Sequence, residues 1–298
     1  MTVTNTTPGI STITLSTLLR RWVVRQADSE TEWVESQLNT LRQGASETTL
    51  HRFLGLAPRR LGREDLRLSV SDLKEAEQLR PDWDPKGWSL DGTARIAGLL
   101  AFQGPRPFPA LFKDLVRTSD ARELITLYRG LPLYPEPLVL THEVGEGLRS
   151  NMRAVFESIA HFNPYPRDHF DDHRWNHMVL KALFVGSRLQ PIVGLEQRAN
   201  PELARILLDY AQERWAAGRD VSPELWHCVG PFAETVNAYE ALSRALDGSP
   251  AERSAATLAL VAADTSTARS LLADAPDTLQ LVAAGRIDWN HLTQEEAA

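Results

Sequence analysis

Apolar residues fall at helical spacing from the start of the readable pattern: Ile13, Leu15, Leu18, Leu19, Trp22 and Val23 recur every three or four positions, which predicts an amphipathic helix. A second helix is expected around Glu32 to Gln43. Between Gly55 and Gly87 the pattern weakens. Pro58, Pro81 and Pro85, with the acidic-basic run from Arg59 to Arg67, predict a long irregular connector holding one short helix at Ser71 to Leu79. From Ser89 to about Gly230 the helical signal is strong. Gly147 to Phe162 places Leu148, Met152, Val155, Phe156, Ile159 and Phe162 on one stripe, which predicts a continuous helix. Asn163-Pro164-Tyr165-Pro166 then ends it, because each proline removes a backbone donor and restricts the residue before it. Asn200-Pro201 and Ser222-Pro223 pair a side-chain N-cap with proline at the first helical position, and Gly218 stands where a C-terminal cap falls. The Ala- and Leu-rich stretch from Pro231 to Leu292 splits into short helices at Gly248-Ser249-Pro250, Asp264-Thr265-Ser266 and Ala275-Pro276.

Apolar and polar residues almost nowhere alternate with the strand period of two, so an all-α fold is expected. Short amphipathic helices bury their apolar faces only against neighbours, which points to stacked antiparallel hairpins of a HEAT-like, α-solenoid-like kind. No fixed sequence period accompanies that arrangement. The same reading divides the chain into a disordered, Thr-rich tail (1–12), N-terminal helices and connector (13–88), a central helical domain (89–232) and a short-helix region (233–298).

Composition narrows the function. A 298-residue chain with 43% hydrophobic residues can bury a sizeable core. A net charge of −7 argues against nucleic acid as partner, since phosphate-backbone affinity comes from clustered Lys and Arg. The single cysteine, Cys228, has no partner for a disulfide, a CxxC pair or a thiolate zinc cage, which fits a reducing cytoplasm. Met1 to Ser11 lacks the basic start and apolar core of an export signal. Charge interrupts every apolar run before the roughly 20 residues a membrane span needs. The expected location is therefore the cytoplasm, with any membrane action exerted from its inner face.

Several side chains carry candidate chemistry, each beside a plainer reading. Lys181 lies in Met178-Val-Leu-Lys-Ala-Leu-Phe-Val, a run apolar enough to predict a largely buried helix. It reads either as the seat of an anionic ligand or a perturbed amine, or as a snorkelling lysine or an ion pair with Glu157 or Glu213. Asn176 shares a stripe with Leu180 and Leu183, and Asn151 stands one turn before Val155, so both amides are expected to face the core and to bond either backbone or ligand. Arg129, Arg149 and Arg198 offer guanidinium forks to a carboxylate or phosphate, or pair with Glu143, Glu146 and Glu196. Asn200 is most simply an N-cap. Of His169, His173 and His177, the last two form the pair able to share a metal, but no HExxH is present and no metal is assigned. Adjacent His227 and Cys228 point about 100° apart on a helix and make no catalytic pair. Gly92, Gly98 and Gly104 are too scattered for a phosphate loop, so no cofactor is expected. Trp175, Trp215, Trp226, Tyr165, Tyr210 and Phe232 read as core packing or as the walls of an apolar pocket.

One combination of segments is specific. Leu124-Ile-Thr-Leu-Tyr-Arg-Gly-Leu-Pro-Leu, Glu146-Gly-Leu-Arg-Ser-Asn-Met-Arg, Asn163-Pro-Tyr-Pro, Trp175-Asn-His-Met-Val-Leu-Lys, Gly194-Leu-Glu-Gln-Arg-Ala-Asn-Pro and Ser222-Pro-Glu-Leu-Trp-His-Cys-Val-Gly-Pro-Phe together resemble the central signature of EboA-domain proteins. The resemblance covers roughly Leu124 to Phe232. It implies an accessory role in moving a secondary-metabolite precursor toward or across the cytoplasmic membrane, as a helical binding or scaffold protein. It also implies partners from the same kind of gene cluster, a UbiA-prenyltransferase-like membrane protein and a TatD-like hydrolase. It supplies no catalytic residue. The leading ligand set is Arg129, Arg149, Asn151, Glu157, Asn176, Lys181, Arg198, Tyr210 and Glu213. The alternatives are an enzyme acting on the same precursor through Lys181, Glu157 and Glu213, and a purely structural subunit of a multiprotein complex.

Overall fold

The computed structural model describes residues 12–290 together with Leu292. The tail expected at the N-terminus lies outside them, apart from Thr12, which opens the first helix. The described chain is 68% helical, with 17 helices and no strand, as the all-α reading requires. Contacts group it into two compact units, Met1–His169 and Phe170–Ala298. That division falls inside the region 89–232.

Unit 1 carries α1 (Thr12–Gln26), α2 (Thr31–Arg42), α3 (Glu47–Leu61), α4 (Val70–Leu79), α5 (Leu90–Ala101), α6 (Phe108–Thr118), α7 (Ala121–Arg129), α8 (Thr141–Leu148), α9 (Arg153–Ala160) and α10 (Tyr165–His169). Its organising element is α5, whose twelve residues are all buried, with α1, α2, α3 and α7 packed around it. A helix enclosed on every side must be apolar or must satisfy each polar group it carries. Arg95 does the latter, donating Nε to the Leu54 carbonyl at 2.9 Å and Nη2 to Glu123 at 3.2 Å. Leu54 needs that donor because Pro58, four residues on, has no N–H to offer it. The long connector expected from Gly55 is thereby corrected: α3 runs through Gly55 and Pro58 to Leu61, since the lost helical bond is replaced from α5. The short helix expected at Ser71 to Leu79 is present as α4. It starts at a reciprocal cap between Ser69 and Asp72, and Arg25 of α1 grips the Asp72 carboxylate at 3.1 and 2.7 Å.

The continuous helix expected over Gly147 to Phe162 is also corrected, because it is broken into α8 and α9. Arg149 and Ser150 close the end of α8 with bonds to the carbonyls three residues back, and the Met152 N–H turns to Ser150 Oγ at 3.1 Å. Gly147 serves packing rather than propensity: a Cβ there would lie 2.4 Å from the Tyr128 ring. The break leaves Val155, Phe156 and Ile159 buried as expected and exposes Met152 and Phe162. Asn163 is buried and fully used, donating to the carbonyls of Tyr128 and Ser158 and accepting from the Tyr165 N–H at 3.0 Å.

Unit 2 carries α11 (Asp172–Phe184), α12 (Pro201–Ala216), α13 (Leu225–Val229), α14 (Tyr239–Leu246), α15 (Pro250–Ala263), α16 (Ser266–Leu272) and α17 (Pro276–Ala283). Side-chain caps start four of them: Asp171, Asn200, Ser249 and Thr265 each accept a first-turn N–H. Helix α11 packs on α12, α12 on α13, α14 on α15 and α15 on α16. At Gly230 the chain leaves α13 against α15 so closely that a Cβ would meet the Ala259 backbone at 2.7 Å. No described helix is long and apolar enough to cross a membrane.

Two stability tests follow. Arg95→Met strands the Leu54 carbonyl and is expected to cost about 2–3 kcal/mol in urea unfolding, whereas in a Pro58→Ala background the restored N–H reduces that cost by about 1 kcal/mol. Equal costs in both backgrounds would contradict the compensation. Arg25 first, then the Ser69 cap, holds the Asp72 carboxyl well below the usual carboxylate range. Its contribution is therefore complete above the unfolded value near pH ~4 and is lost as pH falls toward the folded one. Asp72→Asn should remove that part of the acid sensitivity seen in thermal melts taken across the acid range.

Candidate functional site

The residues singled out in the sequence divide between the units. In unit 1, Arg129 is half-buried and donates to the Gly87 carbonyl at 2.8 Å. Burial lowers its pKa, with Asp65 acting in the opposite sense. Arg149 is exposed and pairs with Glu146. Asn151 stands in the break between α8 and α9 and is exposed, correcting its expected place against the core. Glu157 is half-buried and accepts from Arg153 Nε at 2.7 Å.

In unit 2, Asn176 is buried and exchanges amide hydrogen bonds with Asn200 at 3.3 and 2.9 Å, while Asn200 Oδ1 also caps α12 through the Leu203 N–H. Its hydrogen bonding is structural. Arg198 pairs with Asp172 at 2.8 Å and lies 5.1 Å above the Trp175 ring. Lys181 is half-buried rather than buried, and desolvation lowers its amine pKa. Tyr210 is half-buried and Glu213 exposed. The three arginines thus each hold an acceptor or an aromatic face of their own. His173 and His177 are exposed with ring centroids 4.3 Å apart. Among the described residues no cluster of three or more His, Cys, Asp or Glu is arranged to hold a metal. Burial pushes the Cys228 thiol up to about 12, which keeps it protonated and unreactive. Trp175, Trp226 and Tyr165 are core residues.

Unit 2 also contains a cavity of about 370 Å³ that no single stretch of sequence announces. One wall is the loop between α11 and α12, through Gln190, Ile192 and Gly194–Gln197; another is His227 of α13; the third is Asp288–Asn290. The loop has no helix to satisfy its amides, so they need another acceptor. Glu224, 6% exposed at the start of α13, supplies it, accepting the N–H of Leu189 at 2.7 Å and of Gln190 at 3.2 Å. Ile192 and Leu195 are buried and anchor the loop beyond that clamp. These fixings bring Glu196 Oε1 to 3.0 Å from His227 Nε2. The opposite boundary is an aromatic stack, Trp289 on the His227 ring at 4.4 Å and 12°. Gln190 Nε2 donates to Asn290 Oδ1 at 3.0 Å and ties the loop to the same segment.

Burial lowers the pKa of His227, although Glu196 and Glu224 act in the opposite sense. The imidazole is accordingly neutral at pH 7, and the carboxylate beside Nε2 assigns the proton to that nitrogen. The result is a half-enclosed recess with an aromatic wall, apolar anchors, carboxamides and two carboxylates, the general make-up of a small-molecule site. Two other cavities of unit 2 are less equipped. One of about 390 Å³ along α16 and α17 is mainly apolar, and one of about 240 Å³ lies where Arg244 covers the Trp215 ring.

Sequence reasoning treated His227 only beside Cys228 and Glu196 only beside Arg198. The pairing across 31 positions has no local signal. Its one hint was that Gly194–Gln197 and His227 both stand in the signature segments. Glu224→Ala is expected to cost unit 2 about 2–3 kcal/mol, since it leaves the buried Leu189 amide and the part-buried Gln190 amide without an acceptor. Hydrogen exchange at Leu189 and Gln190 should accelerate together, and exchange unchanged at those two amides would contradict the clamp.

A family model described as metabolite traffic protein EboA matches residues 15–230. Comparison with curated proteins and with solved structures found no match. The matched stretch spans well over half of the chain and includes Glu196, Glu224 and His227, though not Asp288–Asn290. On that match, and with its all-helical architecture, the chain belongs to the EboA family of metabolite traffic proteins.

Proposed function

We propose that this chain serves metabolite traffic as a binding protein that holds a small precursor in the His227 cavity and passes it to a partner at the inner face of the cytoplasmic membrane. The observation that carries this reading is the convergence of two separate stretches of the family region, Gly194–Gln197 and the α13 segment around His227, on one recess of ligand-binding size. The family supplies the process; the recess supplies a place for cargo. The UbiA-prenyltransferase-like membrane protein implied by the sequence resemblance is the recipient in this scheme. The consecutive packing of α11 on α12 and of α14 through α16 supports a HEAT-like scaffold around it.

Binding is favoured over catalysis because the thiol beside His227 is held protonated and the imidazole is engaged by Glu196 and Trp289. The enzyme alternative draws on one observation, the desolvated amine of Lys181. Native mass spectrometry of protein purified from its own cells separates the two. The wild type and Lys181→Met are expected to retain a co-purifying organic molecule, and Trp289→Ala to lose most of it. An apo mass in all three, or loss in Lys181→Met alone, would overturn the assignment.

A further inference from the structure

We infer that unit 1 docks on an anionic lipid surface through the outer face of α3, with Arg52, Arg59 and Arg63 as the groups that meet the headgroups. This rests on the membrane placement in the reading above and not on the cargo. Helix α3 packs on α5 and buries Leu50, Phe53 and Ala57. Arg52, Leu56 and Arg59 stand at i, i+4 and i+7, which puts them on one stripe outside that packed face. Arg52 and Arg59 are exposed, Leu56 is half-buried between them, and Arg63 is exposed just past the Gly62 end of the helix.

Among the described residues the guanidinium groups of these three arginines have no ion-pair or hydrogen-bond partner. Their neighbour Arg60 shows the contrast, since it donates to both oxygens of Glu30, at 3.2 and 3.1 Å, and lies 5.7 Å over the Trp33 ring. The acids that border α3 are spent elsewhere. Arg106 holds both oxygens of Glu47 at 2.6 and 2.7 Å, and Arg95 holds Glu123. Glu64 and Asp65 follow Arg63 and limit the local excess, but the Asp65 charge acts on Arg129. Unit 1 carries 21 Lys and Arg against 21 Asp and Glu, whereas unit 2 carries 11 against 18, so the whole net charge of −7 resides in unit 2. An anionic surface therefore repels unit 2 as a whole and attracts unit 1 where its arginines are uncancelled.

The spacing favours a headgroup layer over a single bound anion. About 10 Å of helix separates Arg52 from Arg59. A row of that length meets several phosphates at once, whereas one small anion needs forks that converge on it. No described helix is long and apolar enough to cross a membrane, and a few cations give a peripheral, reversible attachment. Such an attachment suits a protein that delivers cargo and leaves.

Flotation of the full chain with vesicles tests the assignment at pH 7, using equal parts phosphatidylcholine and phosphatidylglycerol beside phosphatidylcholine alone. The chain is expected to float with the mixed vesicles and not with the neutral ones, and to be released as NaCl rises from about 30 to about 300 mM. Arg52→Gln combined with Arg59→Gln should weaken partition about ten-fold or more, at about five-fold per cation, with an unchanged melting temperature. Arg52→Lys combined with Arg59→Lys keeps both charges and should retain most of the binding. Arg219→Gln combined with Arg286→Gln removes the same charge from exposed positions of unit 2 and should leave partition within about two-fold. No partition on the mixed vesicles, equal partition on the neutral ones, indifference to salt, or equal loss in the two glutamine pairs would overturn the inference. Absent vesicle binding together with a co-purifying polypeptide lost in the Arg52/Arg59 glutamine pair would overturn it in favour of an acidic protein partner. A co-purifying organic molecule lost in Trp289→Ala would leave the cargo reading standing in each of those cases.

Discussion

Unit 2 is shaped at its candidate site by a buried carboxylate that faces two successive backbone amides. An ionised Glu224 with so little exposure is tolerable only if its charge is met by donors, and the amides of Leu189 and Gln190 in a non-helical loop are tolerable only if something accepts from them. Each requirement answers the other. The loop from α11 to α12 is fixed against α13 as a consequence, and the contact between Glu196 and His227 depends on that fixing. Without the clamp two of the loop's amides would lack their acceptor, and the wall of the recess would rest on Ile192, Leu195 and the bond from Gln190 to Asn290 alone.

Unit 1 solves an equivalent problem at each place where a helix departs from its own hydrogen-bond ladder. Pro58 leaves the Leu54 carbonyl open and Arg95 fills it; the chain turns sharply after Phe162 and Asn163 answers two carbonyls and one amide. Some of the buried polar side chains in this protein, Arg95 and Asn163 among them, therefore serve backbone groups that a broken helix leaves open. Asn176 and Asn200 fit the same pattern in unit 2, one amide pair serving both a buried position and the cap of α12.

This explains which features were legible in the sequence. Apolar periodicity and cap residues are local, so the all-α class, α2, α4 and the starts and ends of α12 could be read from spacing alone. Compensation is not local. Nothing near Pro58 shows that Arg95 will replace its missing bond, and nothing near Gly147 shows that Tyr128 occupies the space of a Cβ. Helix α3 turned on such a distant partner, whereas the break between α8 and α9 is closed by local bonds that an apolar stripe does not reveal. The ligand set was harder for the same reason. Arg149, Asn151 and Glu213 carry suitable chemistry yet are exposed, whereas the recess joins positions near 190, 196, 227 and 289. The lining also differs from the chemistry suggested by the sequence: conspicuous arginines suggest an anion, whereas the walls that the fold assembles include Glu196 and Asp288.

The central claim, that the recess beside His227 holds cargo in the living cell, is tested most directly by replacing Gln197 on its rim with a photoreactive benzoylphenylalanine and irradiating the producing cells. Mass analysis of the peptide that contains position 197 then reads what lies within reach. The account predicts a discrete adduct of one small organic molecule on that peptide, reduced when Trp289 is replaced by alanine. An unmodified peptide, or crosslinks only to another polypeptide, would contradict it.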